Sequence, residues 1–178
     1  MPASYLTSYR DTPVSVASMR WVLMSVSVAI LAAACTTVSP DPGSATTAPI
    51  QVPPQLVDYR TAIVDVGDRR LLLAIADSPS LRAQGLMGVT DLRDLDGMLF
   101  FWRHDGDAFW MKNTVIPLDI VWFFEDGTFA GRASMVPCTQ DPCPTYAPDT
   151  GLNFRFAIEA NRGDLDFVDE STVIVYSD

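Results

Sequence analysis

From residue 60 to the C-terminus, apolar runs of five to nine residues alternate with short stretches of Gly, Pro, Asp and Asn. Runs of this kind, rich in β-branched and aromatic residues and bounded by turn formers, read as strands. Residues 60–66 and 70–76 flank Gly67-Asp68-Arg69 and predict an opening hairpin. Ser78-Pro79 then offers a helix cap followed by proline at the first helical position. Leu81, Gln84 and Met87 follow at helical spacing before Gly88, which predicts one helix of two to three turns. Residues 98–102, 108–112, 118–124, 128–136, 154–160 and 172–176 supply six further strands, eight in all. No helical segments alternate with them to build a parallel sheet. The expected fold is therefore mainly β: a single β-sandwich or distorted barrel with one short helix.

Two-residue periodicity assigns faces. Phe109 and Met111 share one side of their strand, with Trp110 and Lys112 on the other. Asp119 sides with Val121 and Phe123, opposite Leu118, Ile120, Trp122 and Phe124. Lys112 is the only lysine among eleven arginines, set in an apolar context that makes an unpaired ammonium costly. Asp119 is the expected counter-charge, since a hairpin through residues 114–117 would let Lys112, Asn113 and Asp119 converge. The trio is either an ion pair that fixes strand register or the floor of a ligand site, with Trp110 and Tyr146 as aromatic walls. It contains no set of nucleophile, base and orienting group, and the serines lack a neighbouring histidine, the chain having only His104.

The N-terminal part has a different character. Arg20, an apolar run over residues 21–34 and the exit Leu31-Ala32-Ala33-Ala34-Cys35 read as a secretory signal, too short to span a bilayer. Its end is similar to a lipoprotein box in which Cys35 becomes the lipid-modified first residue, with Ala32 in place of the usual leucine. Cleavage near Ala34 by the ordinary signal peptidase is the alternative, leaving a secreted or periplasmic soluble protein. Translation could begin at Met1 or Met19. Residues 36–56 are Thr, Ser, Pro and Ala with almost no aliphatic content, which predicts a disordered tether able to reach about 60 Å. Residues 57–178 are expected to form the domain.

The net charge of −10 disfavours nucleic acid and anionic membrane surfaces as partners. Nineteen of the 22 carboxylates are Asp, many beside turns, so turn chemistry accounts for them. Cys138 and Cys143 remain once Cys35 is set aside. In an exported protein they are read first as a disulfide worth about 2 kcal/mol, with free thiols or a metal role as the alternatives. Met87, Met98, Met111 and Met135 with His104 raise a Cu(I) reading, but methionine more often fills core gaps. Neither a metal nor a cofactor is expected.

Ordered blocks of the chain resemble the family called domain of unknown function 192. They are Gly85-Leu86-Met87, the run from Gly97 to Trp102, Phe109-Trp110-Met111-Lys112-Asn113-Thr114, Ile116-Pro117-Leu118-Asp119-Ile120 and Cys143-Pro144-Thr145-Tyr146. The chain departs at Val89, where the family pattern has arginine, and over residues 163–178, which are looser. The resemblance implies a compact β domain similar to a jelly-roll sandwich, often exported, and brings no accepted activity and no catalytic residues. The expected function is a non-catalytic, monomeric, envelope-anchored domain, joined to the membrane through the Cys35 lipid. It would bind a small anion or polar envelope component at Trp110, Lys112, Asn113, Asp119 and Tyr146. A cell-wall or carbohydrate enzyme using Asp119 with Glu159, and a structural partner of another envelope protein, are the alternatives.

Overall fold

The opening hairpin forms as its sequence predicts. In the computed structural model, which describes residues 48–177, β1 (Thr61–Val66) pairs antiparallel with β2 (Arg69–Ala76). Gly67 supplies the left-handed residue of the turn, at φ 59°. Ser78 caps α1 (Pro79–Gln84) by accepting the Leu81 N–H, and Gly85 ends it at φ 49°. The helix is shorter than its periodicity suggests because Gly85 stops it before Met87.

The remaining strands are β3 (Gly97–Phe101), β4 (Phe109–Trp110), β5 (Leu118–Phe123), β6 (Phe129–Met135), β7 (Thr145–Tyr146), β8 (Phe156–Asn161) and β9 (Ile174–Val175). Seven of them form a mixed sheet in the order β6-β5-β8-β3-β2-β1-β9, curled into a half-barrel, while β4 and β7 make a small second sheet. The fold is mainly β with one short helix, as expected. One expectation fails: β2 and β3 are parallel neighbours. Parallel pairing requires a long crossover. Residues 77–96 provide it, with α1 followed by a loop that buries Leu86, Val89, Leu92 and Leu95. A strand as short as β7 leaves no visible pattern in its Cys- and Pro-rich surroundings and was not anticipated.

Alternation along the central strands sorts side chains into two cores. Ala74, Met98, Phe100, Ile120, Trp122 and Ala157 fill one face, closed by the crossover loop and by Trp102, Phe109 and Phe154. Leu73, Ile75, Leu99, Val121, Phe123 and Ile158 fill the other, closed by Val64, Leu165, Val168 and Ile174. Burial on both faces explains why β5 is apolar at nearly every position.

The expected signal segment with Cys35 lies outside the described residues, as does most of the expected tether. The tether's final residues belong to the fold: Pro54–Leu56 form a 3-10 turn, Leu56 is buried, and Val52 packs on the first core. Val52 and Leu56 are two of the four aliphatic residues, with Val38 and Ile50, in a segment otherwise poor in them. Cys138 and Cys143 are joined in a disulfide with Cα atoms 5.7 Å apart.

Candidate functional site

Glu159 occupies the middle of β8, where the sheet register places it between Ile120 of β5 and Met98 of β3. Both neighbours are fully buried and neither side chain offers a hydrogen-bond donor to a carboxylate. Glu159 is only 4% exposed, and its carboxyl makes no hydrogen bond or ion pair with any described residue. Burial alone pushes its pKa up to about 8, so the group is mostly protonated at neutral pH. Its backbone is held just as closely, since a Cβ on Gly97 would lie 2.2 Å from the Glu159 carbonyl oxygen.

The Glu159 side chain lines a cavity of about 270 Å³ between α1 and β4. Phe100, Trp102 and Phe109 form a mutually packed aromatic wall, with Phe109 edge-on to both other rings. Ala83, Gln84, Ala108 and Trp110 are exposed and form the rim. Arg82 projects from α1 and donates through Nη1 to the Asp77 and Phe101 carbonyls, both at 2.9 Å. Its guanidinium lies 5.2 Å from the Trp102 ring centroid. Burial lowers the Arg82 pKa, while the charges of Asp107 and Asp77 pull it back up. Asp107 also accepts from Trp102 Nε1 at 3.1 Å, which fixes the indole orientation.

Of the five residues expected to bind a ligand, only Trp110 lines this cavity. Lys112 and Asp119 do not meet. β4 pairs with β7 and not with β5, so the expected hairpin between them is absent. Lys112 turns to the disulfide loop and pairs with Asp141 at 2.7 Å, its ammonium 5.5 Å from the Trp110 ring. Asp119 keeps the face that the periodicity assigned to it, but its partners are Ser134 Oγ at 2.5 Å and the Gly163 N–H at 2.7 Å. Asn113 takes a left-handed φ of 60° and its carbonyl accepts from Gly88, while Tyr146 packs on the first core and accepts from the Val136 N–H. The structure therefore does not bring the five residues together in one pocket.

The same register rules out Asp119 and Glu159 as the carboxylate pair of a carbohydrate enzyme. Asp119 lies opposite Ala160, and Glu159 opposite Ile120. Adjacent strand positions face opposite ways, so the sheet separates the two carboxyl groups and they cannot flank one glycosidic bond. Met98, Met111 and Met135 are core residues, and no cluster of metal-ligating side chains occurs among the described residues.

Glu159 was legible as a lone carboxylate in the apolar run 154–160, one of only three glutamates in the chain. Arg82 and Asp107 carried no comparable signal, because nothing local says that α1 and the loop before β4 face the same space.

Lys112→Met is expected to change stability by less than about 1 kcal/mol, since its ion pair is exposed on both sides. Urea denaturation measures this, and a loss of several kcal/mol would restore the buried-pair reading.

A family model described as Uncharacterized ACR, COG1430, matches residues 62–171. Comparison with curated proteins finds no match. A crystal structure of a protein of unknown function from Novosphingobium aromaticivorans DSM 12444 is similar at 27% identity and a TM-score of 0.58, covering 72% of this chain and 94% of that one. A proposed transcription regulator from Sinorhizobium meliloti 1021 is similar at 26% identity and a TM-score of 0.57, covering 67% of this chain and 95% of that one.

Proposed function

The chain belongs to the family described as Uncharacterized ACR, COG1430 (DUF192), and from that premise we propose that its domain is a small-molecule receptor whose guest enters the cavity above Glu159. The observation that supports this reading is the carboxyl group itself. The carboxyl is shielded from bulk solvent, has no partner among the described side chains and faces the cavity, so a polar guest there would supply the partner that the protein does not. The surroundings fit the usual pattern of an apolar, aromatic pocket with few polar groups. At about 270 Å³ the cavity falls just below the roughly 300 Å³ at which drug-sized pockets begin, which suits a small guest.

Binding without chemistry is the simplest use of these residues. Among those lining the cavity, none is a nucleophile held by a base that a third group orients. A net charge of −10 fits poorly with binding to nucleic acid. Export and anchoring through a lipid on Cys35 belong to the same proposal, supported by the apolar run and small-residue exit before that cysteine. Cys35→Ser should move the protein from the membrane fraction to the soluble one.

Fragment titration followed by NMR tests the receptor reading. The indole N–H signals of Trp102 and Trp110 should shift together and saturably. Ala108→Trp, which fills the rim, should abolish the shifts, while Lys112→Met should leave them unchanged. Shifts centred on Lys112 and Asp141 would move the site back to the surface loop.

A further inference from the structure

We propose that the guest carries a small organic ammonium group, seated against the Phe100 and Phe109 rings with its charge at the Glu159 carboxylate. This inference rests on the receptor reading of the cavity and names the class of ligand. Three features of the site support it. Aromatic faces attract cations through their quadrupole, and the attraction grows when water is excluded, as it is beside Phe100 at 2% and Phe109 at 8% exposure. Two carboxyl groups, Glu159 and Asp107, line the cavity against one cation, Arg82. That cation is already engaged: its Nη1 donates to two backbone carbonyls, it lies over Trp102, and Asp107 acts on it electrostatically. With Glu159 ionised the lining carries one net negative charge, and the unpaired member is the buried one.

An anion would meet the opposite situation. It would have to approach a buried carboxyl while Arg82 remained committed elsewhere. A neutral guest with an acceptor would take a hydrogen bond from protonated Glu159, which leaves Arg82 and Asp107 balancing each other and needs no charge on the guest. The two cases differ in the sign of their proton linkage. From β3 the group facing Glu159 is Met98 and from β5 it is Ile120, so the charged groups around the cavity are Arg82 from α1 and Asp107 from the loop before β4. Glu159 is thus the residue whose protonation should respond to a guest. An ammonium requires the carboxylate and must displace its proton below pH 8, so affinity should rise about tenfold per pH unit from 6 to 8 and then level. A neutral acceptor requires the acid, so its affinity should be flat over that range and fall above it.

The test is calorimetry on the full domain with choline and benzylamine, against the uncharged choline isostere 3,3-dimethylbutan-1-ol and against acetate. Choline and benzylamine should bind at least about tenfold more tightly than the alcohol and should release a proton at pH 7, read from the dependence of heat on buffer ionisation enthalpy. Glu159→Gln should weaken both amines at least about tenfold and abolish the proton release. Because Gln is isosteric and neutral, this variant is expected to fold, and its chemical-shift spectrum verifies that. Equal binding of the alcohol, or amine affinity unchanged in Glu159→Gln, overturns the ammonium assignment. If the alcohol or acetate moves the Trp102 indole signal while the amines do not, the ligand class is wrong and the receptor reading stands. If none of the four probes moves it, both are overturned.

Discussion

Glu159→Gln is expected to stabilise the protein by about 4 kcal/mol at pH 8 while changing little at pH 4. The reason is the raised pKa of the buried carboxyl. Below its unfolded pKa near 4.5, Glu159 is neutral in both states and adds no pH dependence. Between pH 4.5 and about 8 the unfolded chain ionises there while the folded one does not. Folding must then take up a proton, and stability falls by about 1.4 kcal/mol per pH unit. Glutamine does not titrate, so the variant lacks this slope. Other titrating groups are common to both proteins and cancel in the difference. Urea denaturation of both at pH 4.5, 6 and 8 measures the effect, and parallel stability curves would mean that Glu159 is not held unpaired. Against a typical total of about 5–15 kcal/mol, the cost of keeping this acid in the core is large. A residue that lowers stability where Gln or a hydrophobe would fit is one whose presence calls for a functional explanation.

Phe154→Ala is expected to cost about 3–5 kcal/mol and to loosen the cavity wall. The Phe154 ring is fully buried, 5.4 Å from the Trp102 ring centroid and 6.3 Å from that of Trp122. It is also the reason that residue 106 must be glycine, because a Cβ there would lie 2.1 Å from the Phe154 ring. Gly106→Ala alone should therefore cost about 1–3 kcal/mol by overpacking. In the Phe154→Ala background the same change should cost almost nothing, and the double-mutant cycle should show that coupling. Additive effects would place the glycine requirement elsewhere. Since Trp102 and Phe109 both pack on Phe154 and both line the cavity, the single variant should also weaken ligand binding.

Much of the fold could be read before any tertiary contact was known. The opening hairpin, the Ser78 cap and the strands at 97–101, 118–123, 129–135 and 156–161 fall within a residue or two of their expected places. The division of Phe109 and Met111 from Trp110 and Lys112 holds, with the first pair buried and the second at the surface or half-exposed. The site was legible only in fragments. Trp110 lines the cavity and Glu159 stands in it, but Lys112 pairs with Asp141 and not with Asp119. Asp119 and Asp141 are both reachable from Lys112 along the chain, and the nearer one in sequence was the natural choice. The decision lay with β7, whose pairing with β4 directs Lys112 toward the disulfide loop.

The sequence by itself determined where strands start and stop, which residues share a face, and that an acid stands alone in an apolar run. These follow from turn chemistry and from the two-residue repeat of an extended backbone, which act over a few bonds. Only the tertiary structure decided which strands are neighbours, and with them that Ile120 and Met98 flank Glu159, that the sheet divides Glu159 from Asp119, and that Arg82 and Asp107 share one cavity. Strand order is set by the best joint burial of segments far apart in the chain. No local pattern encodes it, and the identity of the cavity depends on it entirely.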